Sequence, residues 1–501
     1  MPRILALALA LAALSAGPAG AAELRVVVVP DLELADLEAL SPRGAIGLLV
    51  PDAGPETSAD RSLAALERGA VRNSLLGDKP AGERVLEVTF ARNVPPGPAI
   101  VLGLPRGGTQ PNDRRYPIAV LAPGYRGLVT SPSTRIPGLV SVVDVAPTAL
   151  DRDDGLGSAR AADPVAALAE LDERIRDNRA AKAAVLLLSL ALIVAVAIFL
   201  PAVVLPAFAA ILLANLVLGI AGSTEAWIDV VTIVLFVGAS LVFSRLLLLA
   251  HGLLLTGVLA AYLVAMGIDE RWVALSPHGP TQNARFYGLS NLLATLLLVP
   301  ALAGAALLGR RFGMWAFAAV AALALVTVGG SQFGADGGGV IVLLAAYAAL
   351  IAPYYGLTKR TAIAATAVVA VLALALAVGG ESHVTDALGD GPVGLAEDLW
   401  RRLRLSWLRA TSGWGVGLLV GAGVTALAAS ALRERRPLLV SYLVALAVSL
   451  VVNDSPNDVI VAGVAGYLAL SSAPGVARPA SERATQAARG PRAQSAPAAM
   501  P

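Results

Sequence analysis

Cysteine is absent from the 501-residue chain, which excludes a disulfide framework, a thiol nucleophile and any cysteine-ligated metal site. Charge is also scarce. Only 15% of residues are charged and 56% are hydrophobic, against roughly 25% and 45–50% in soluble domains. That shortage excludes a disordered chain and an ordinary soluble enzyme, and it points to a membrane protein. The mean hydropathy of +0.72 agrees. Lysine is nearly missing: Lys79, Lys182 and Lys359 are the three present, which leaves 35 arginines among the 38 basic residues. A net charge of +2 gives no global attraction to a polyanion, so no nucleic acid is expected as a partner. The three histidines are scattered and do not make a spaced ligand set, so neither a metal nor another cofactor is expected.

What is present divides the chain into five parts. Residues 1–21 carry Arg3, the apolar run Ile4–Leu14 and small residues around Ala19-Gly20-Ala21, the order of a secretory signal peptide. Residues 22–165 read as an extracytoplasmic α/β domain. Strands are expected at Leu24–Val29, Gly44–Val50, Val85–Phe90, Ala99–Leu104, Ile118–Ala122 and Gly138–Val145. A helix is expected at Arg61–Gly77, and Ala146-Pro147-Thr148 opens a short one. Residues 166–182 form a charged amphipathic stalk helix, and residues 183–472 form a helical membrane domain of about 11 spans. The tail, 473–501, is rich in Ala, Pro, Ser and Arg without apolar periodicity and reads as disordered and cytoplasmic. The fold class is therefore a multi-span α-helical membrane protein with an N-terminal extracytoplasmic α/β domain. Alternate loops hold Arg245, Arg310-Arg311, Lys359-Arg360 and Arg433 with Arg435-Arg436, which the positive-inside rule assigns to the cytoplasm.

Polar residues of the membrane domain collect on the opposite, outer side. The loop from Gly267 to Asn291 holds His278, Asn283, Arg285, Tyr287 and Asn291. Later outer turns hold Gln332 and Asp336, then Glu381, His383 and Asp386, then Asn453, Asp454 and Asp458. One outer segment breaks the charge rule with Arg401, Arg402, Arg404 and Arg409. Its Trp400, Leu403 and Trp407 fall at i, i+3 and i+7, as in a helix lying in the outer interface. A guanidinium clamps a phosphate bidentately, and a His or carboxylate takes a proton from a sugar hydroxyl. Together these suit glycan transfer from a lipid pyrophosphate. His383, Asp336 and Asp454 are the candidate catalytic groups. Arg285, Asn291, Tyr287, His278, Glu381 and Arg402 are the candidate substrate-binding groups.

Two resemblances add to this reading. The segment RFYGLSNLLA, Arg285–Ala294, resembles the spaced Arg, Gly and Asn pattern of the O-antigen ligase and polymerase superfamily, with Asn291 three residues after Gly288. GADGGGVIVLL, Gly334–Leu344, resembles that family's later Ser-Arg-Gly turn, with Asp336 in place of the arginine. The loop after Ser382-His383 resembles its large outer loop and histidine. The resemblance implies a membrane glycosyltransferase of ligase or polymerase type. A lipid-linked glycan, or another polyprenyl-phosphate lipid, would be the partner beside membrane lipids. In the exported domain, Pro123–Leu150 looks like the closing segment of alkaline phosphatase superfamily domains. Thr57 and Ser58 sit where that family's nucleophile would be sought, but residues 22–165 contain no histidine. The resemblance then implies a shortened, metal-free relative that binds or scaffolds, with a cell-wall component as its partner, and not a metal-dependent phosphatase. A transporter or lipid flippase, or a non-enzymatic envelope scaffold or sensor, is the alternative. Few charges fall mid-span and no internal repeat is evident, unlike in transporters.

Overall fold

The computed structural model describes residues 24–77, 80, 82–152, 155–241, 248–280, 286–355 and 391–473. The signal segment, most of the tail and the span expected at Ala362–Val378 lie outside the described residues. Contacts divide the chain into two compact units, with the break between Glu173 and Arg174.

Among the described residues the first unit has ten strands: β1 Arg25–Val28, β2 Ala45–Val50, β3 Glu56–Thr57, β4 Val88–Phe90, β5 Ala99–Leu102, β6 Gln110–Pro111, β7 Tyr116–Leu121, β8 Gly127–Thr130, β9 Leu139–Ser141 and β10 Gly157–Ala159. Eight of them form one mixed sheet, in the order β10-β8-β2-β7-β5-β1-β4, with β9 also paired to β2. β2 and β5 are buried at every position and read as unbroken apolar runs, the mark of strands covered on both faces. The helices α1 Leu37–Leu40, α2 Ala59–Arg68 and α3 Val145–Ala149 belong to this unit.

Three expectations are corrected here. The helix expected to Gly77 stops at Arg68, because Gly69 takes a left-handed φ of 60° and closes the last turn. The strand expected from Val85 begins only at Val88, since the Val85 and Leu86 amides both donate to the Glu67 carbonyl, at 2.9 and 3.1 Å. The strand expected through Val145 ends at Ser141. The Asp144 carboxylate draws the chain into a turn by accepting from the Ser133 amide at 3.0 Å, the Ser133 hydroxyl at 2.7 Å and the Ser131 hydroxyl.

The second unit is helical. Its elements are α4 Pro164–Phe199, which begins in the first unit, α5 Val204–Ala221, α6 Ala226–Ser240, α7 Leu248–Ile268, α8 Arg271–Ala274, α9 Asn291–Phe312, α10 Met314–Gly329, α11 Gly337–Tyr355, α12 Gly391–Ala410, α13 Trp414–Arg433, α14 Pro437–Val452 and α15 Pro456–Ser472. The expected division into a stalk helix and a separate first span is corrected: α4 is one continuous helix of 36 residues. Between Pro164 and Phe199 there is no glycine or proline to break it, so only its polarity changes. Among the described residues, five helices are long and apolar enough to cross a membrane, namely Pro164–Phe199, Pro201–Ala221, Ala250–Ile268, Asn291–Phe312 and Trp414–Arg433. α9 is the centre of the unit, with its whole apolar window buried, whereas only 6% of the equivalent window of α13 is buried. An apolar helix left bare in this way is compatible with a hydrocarbon surround.

Candidate functional site

The residues expected at one mouth of the bundle meet where α9, α11 and α15 begin. Asn291, the first residue of α9, donates through Nδ2 to Asp454 Oδ1 at 3.0 Å and to Ser455 Oγ at 3.2 Å. Arg409 of α12 reaches the same turn. Its Nη1 lies 3.0 Å from Asp454 Oδ1 and donates to the Asp454 carbonyl at 2.7 Å and to Ser455 Oγ at 2.8 Å. One turn earlier on α12, Ser406 donates to the Asn453 carbonyl at 2.6 Å, and Arg402 donates to the Val452 carbonyl at 3.3 Å. The last carbonyls of α14, which no helical amide can satisfy, are thus capped by the arginine helix.

Two more turns close on this knot. The Leu289 amide donates to the Gly334 carbonyl at 3.0 Å. Gly338 admits the side chains behind it: a Cβ there would stand 2.7 Å from Asn453 Oδ1 and 3.4 Å from Asp336 Oδ1. Asp336 therefore lies beside the Asn453-Asp454 turn at the entry of α11. Tyr287 is half-buried two residues before Leu289. On α12, the face bearing Leu405 and Ser406 is buried. Trp400 and Trp407 are each 70% exposed, and Arg401 and Arg404 are exposed with them.

The His278 side chain turns away from this mouth, while its carbonyl accepts from Ser290 Oγ at 2.8 Å, one residue before Asn291. It is 1% exposed and faces an apolar cavity lined from α4, α5, α9 and α15. A neutral hydrogen-bond network holds it there. Asn215 of α5 donates through Nδ2 to the Tyr262 hydroxyl and to Ser276 Oγ, both at 3.0 Å. Those hydroxyls donate onward to the carbonyls of Leu212 and Val273, at 3.0 and 2.8 Å. Asn215 Oδ1 is therefore the acceptor for the His278 amide at 2.9 Å and for Nδ1 at 2.8 Å. The Nδ1 proton is fixed by this arrangement, and in the neutral ring Nε2 carries a lone pair. Gly219 makes the arrangement possible: a Cβ there would lie 1.9 Å from the Trp272 carbonyl oxygen, so only glycine lets α5 approach the segment leading to His278.

In the sheet unit, Thr57 and Ser58 have structural duties. Thr57 is 1% exposed, with its hydroxyl 3.0 Å from Ser62 Oγ. Ser58 caps α2 by accepting from the Arg61 amide at 3.3 Å. Beside them Asp52, fully buried, is paired with Arg61 at 2.7 Å.

Of the residues singled out from sequence in the outer loops, Asn283, Arg285, Glu381, His383 and Asp386 lie outside the described residues. Asn291, Asp336 and Asp454 are brought together, with Arg402 against the same turn through Val452. Arg409, already noted as basic, proves to be the contact that ties α12 to Asp454. Asn215 was not singled out. A lone amide in the apolar run of α5 was its only signal. Among the described residues, no three His, Asp or Glu side chains group closely enough to hold a metal ion. Comparison with family models, with curated proteins and with solved structures found no match to this chain.

Proposed function

We propose that the chain is an integral protein of the bacterial plasma membrane that transfers or polymerises glycans from a lipid-linked donor at the outer face. In this reading about 11 spans cross the bilayer, the sheet unit is exported and the C-terminus is cytoplasmic. The supporting observation is the convergence of Asn291, Asp336 and Asp454 with the arginine-bearing α12 at one end of the bundle. Stability alone does not require carboxylates and guanidinium groups at helix entries in an apolar protein. The likeness of Arg285–Ala294 to the ligase and polymerase pattern supports the same chemistry.

The roles divide by what each group already holds. Asp454 is engaged by Asn291 and Arg409, so it positions α12 rather than acting as a base. Proton acceptance from the incoming hydroxyl falls to His383 or Asp336. Arg285 clamps the donor phosphate, and the exposed Arg404 faces the headgroup region with Trp400 and Trp407. The sheet unit is read as a metal-free binding or scaffolding domain. The test is a deletion strain. Lipid-linked glycan should accumulate in it, and Arg285→Ala and His383→Ala should insert at normal levels yet fail to restore transfer. The expected loss is on the order of 10² or more in rate. Normal lipid-linked pools in the deletion strain, with full complementation by both variants, would overturn the assignment.

A further inference from the structure

The cavity below His278 has a chemistry that the glycan site does not use. Its walls are Leu186, Leu190 and Ile193 of α4, Phe208 and Ile211 of α5, and Leu296 of α9, with part of α15 closing it. Into this hydrocarbon space His278 presents Nε2, which is buried and has no hydrogen-bond partner among the described residues. The Asn215 network reserves the proton for Nδ1. Beyond Nε2, the polar wall residue is Ser189, whose hydroxyl already donates to the Val185 carbonyl at 2.8 Å. The described residues that line the cavity offer a lone pair in an apolar setting and include no cation, the nearby Lys182 ammonium being held by the Gly279 carbonyl at 3.1 Å.

One wall can yield. The polar end of α4 is tied to the segment that carries His278: Asn178 donates to the Leu275 carbonyl at 2.6 Å and Lys182 donates to the Gly279 carbonyl at 3.1 Å. Beyond Lys182, α4 is apolar, and only 22% of its most apolar window is buried. The tied end fixes the histidine. The apolar length is held by packing alone and faces lipid, with Leu187 63% exposed.

We propose that this cavity binds an apolar lipid ending in a free hydroxyl, which enters beside α4 and donates its hydrogen bond to His278 Nε2. The ligand class is a long-chain or isoprenoid alcohol, or a diacylglycerol, and the hydroxyl on a hydrocarbon tail is what they share. A charged headgroup is disfavoured because the described residues that line the cavity carry no charge, and the nearby Lys182 ammonium is engaged by the Gly279 carbonyl. An alkane lacks the donor that would satisfy the buried nitrogen. This deepens the proposed function and rests on its placement of the helical unit in a membrane. Its readout is binding, whereas glycan transfer is read by complementation, so either reading can fail without the other.

The test uses the purified full-length protein in detergent and a diazirine-bearing dodecanol as photolabel. Label should fall on peptides that contain Leu186–Ile193, Phe208–Leu212 or Val461–Ala465. Dodecanol should displace it at concentrations at least about tenfold below those of 1-methoxydodecane, which cannot donate. Farnesol and dioctanoylglycerol are the arms that separate an isoprenoid alcohol from a diacylglycerol as the source. His278→Phe should abolish the preference for alcohol over ether. If that variant fails to fold, Ala465→Phe, which fills the cavity and leaves the Asn215 bonds intact, should abolish the labelling. Equal displacement by alcohol and ether, label confined to other helices, or unchanged labelling of Ala465→Phe would each overturn the proposal.

Discussion

In the sheet unit, two buried charges are met by opposite charge, while the buried Asp144 is met by hydroxyls and an amide. Asp52 is paired with Arg61, and Arg115 of the segment before β7 is paired with Asp172 at the start of α4. In the helical unit several buried polar groups are met by neutral partners, Asn215 with Tyr262, Ser276 and His278, Ser441 with the Ala346 carbonyl, and Tyr347 with the Ala301 carbonyl, beside the largely buried charges of Lys182, Asp458 and Asp229. Its pairs Asp454–Arg409, Glu434–Arg436 and Asp269–Arg271 sit at helix ends or turns. The difference follows the medium. Hydrocarbon around a helix makes an ion expensive to bury, while amides and hydroxyls close their bonds without net charge. His278 Nε2 and the Tyr442 hydroxyl are both buried with no hydrogen-bond partner among the described residues.

The largest way to break this comparison is in the sheet. Asp52→Ala removes the partner of a guanidinium whose side chain is only 12% exposed, while Asp52 itself is 0% exposed. Stranding that charge should destabilise the unit by about 3–5 kcal/mol. Faster hydrogen exchange in β2 and β5 would report it. Asp52→Asn should cost less and should reveal the pH dependence. Burial raises the Asp52 pKa above 3.8 and outweighs the opposing hydrogen bond from Arg61. The folded state therefore holds the proton more tightly than the unfolded one. The stabilisation from this group is full below the unfolded value and is lost as pH rises through the raised folded value. The advantage of the wild type over Asp52→Asn should accordingly shrink as pH rises through that window. An advantage that grows with pH would show that the pair with Arg61 dominates over burial.

Next in size is the neutral network. Asn215→Ala leaves the His278 amide and Nδ1 without their acceptor, and it removes the donor to Tyr262 and Ser276. With each orphaned group worth about 1–3 kcal/mol and partial relaxation expected, a loss of about 2–4 kcal/mol should follow. All six tryptophans lie beyond residue 226, so unfolding followed by tryptophan fluorescence reads the helical unit alone. A loss below about 0.5 kcal/mol would mean that water replaces the amide, and the unit would not be as dry as the comparison requires.

How far the sequence revealed these features depends on the kind of signal each one carries. β2 and β5 were legible because a run such as AIGLLV can satisfy burial on both faces only as a central strand. The polar turns at Asn291, Asp336 and Asp454 were legible because charge in an apolar chain gathers at helix ends. Three features escaped. The end of α2 depended on a left-handed Gly69 with no proline near it. The continuity of α4 was hidden because its polarity changes where its backbone does not. The depth of His278 was hidden because SPHGP reads as a surface turn. Its burial is set by Asn215, some 60 residues earlier in the chain, and periodicity within one segment carries no trace of such a distant partner.

The smallest effect sharpens the comparison by its sign. In the turn between α13 and α14, Glu434 Oε2 accepts from Arg436 Nη2 at 2.8 Å, and Oε1 accepts from the Arg435 and Arg436 amides at 2.9 and 2.8 Å. The hydrogen bond from Arg436 is the main reason its pKa is pulled down to about 2. This is the reverse of Asp52. The stabilisation is present above the unfolded value of 4.5 and is lost as pH falls through the folded value. The Arg436 side chain is 38% exposed, so solvent screening holds the contribution to about 1 kcal/mol or less. Acid should therefore erode the difference between the wild type and Glu434→Gln, while it enlarges the difference between the wild type and Asp52→Asn. Salt separates the two again. At 1 M the screening length is about 3 Å, which should erase most of the Glu434 effect and leave the fully buried Asp52 pair nearly unchanged. Unfolding midpoints of both variants at two pH values and two salt concentrations decide it. A shared sign, or equal salt sensitivity, would show that burial does not distinguish the two pairs.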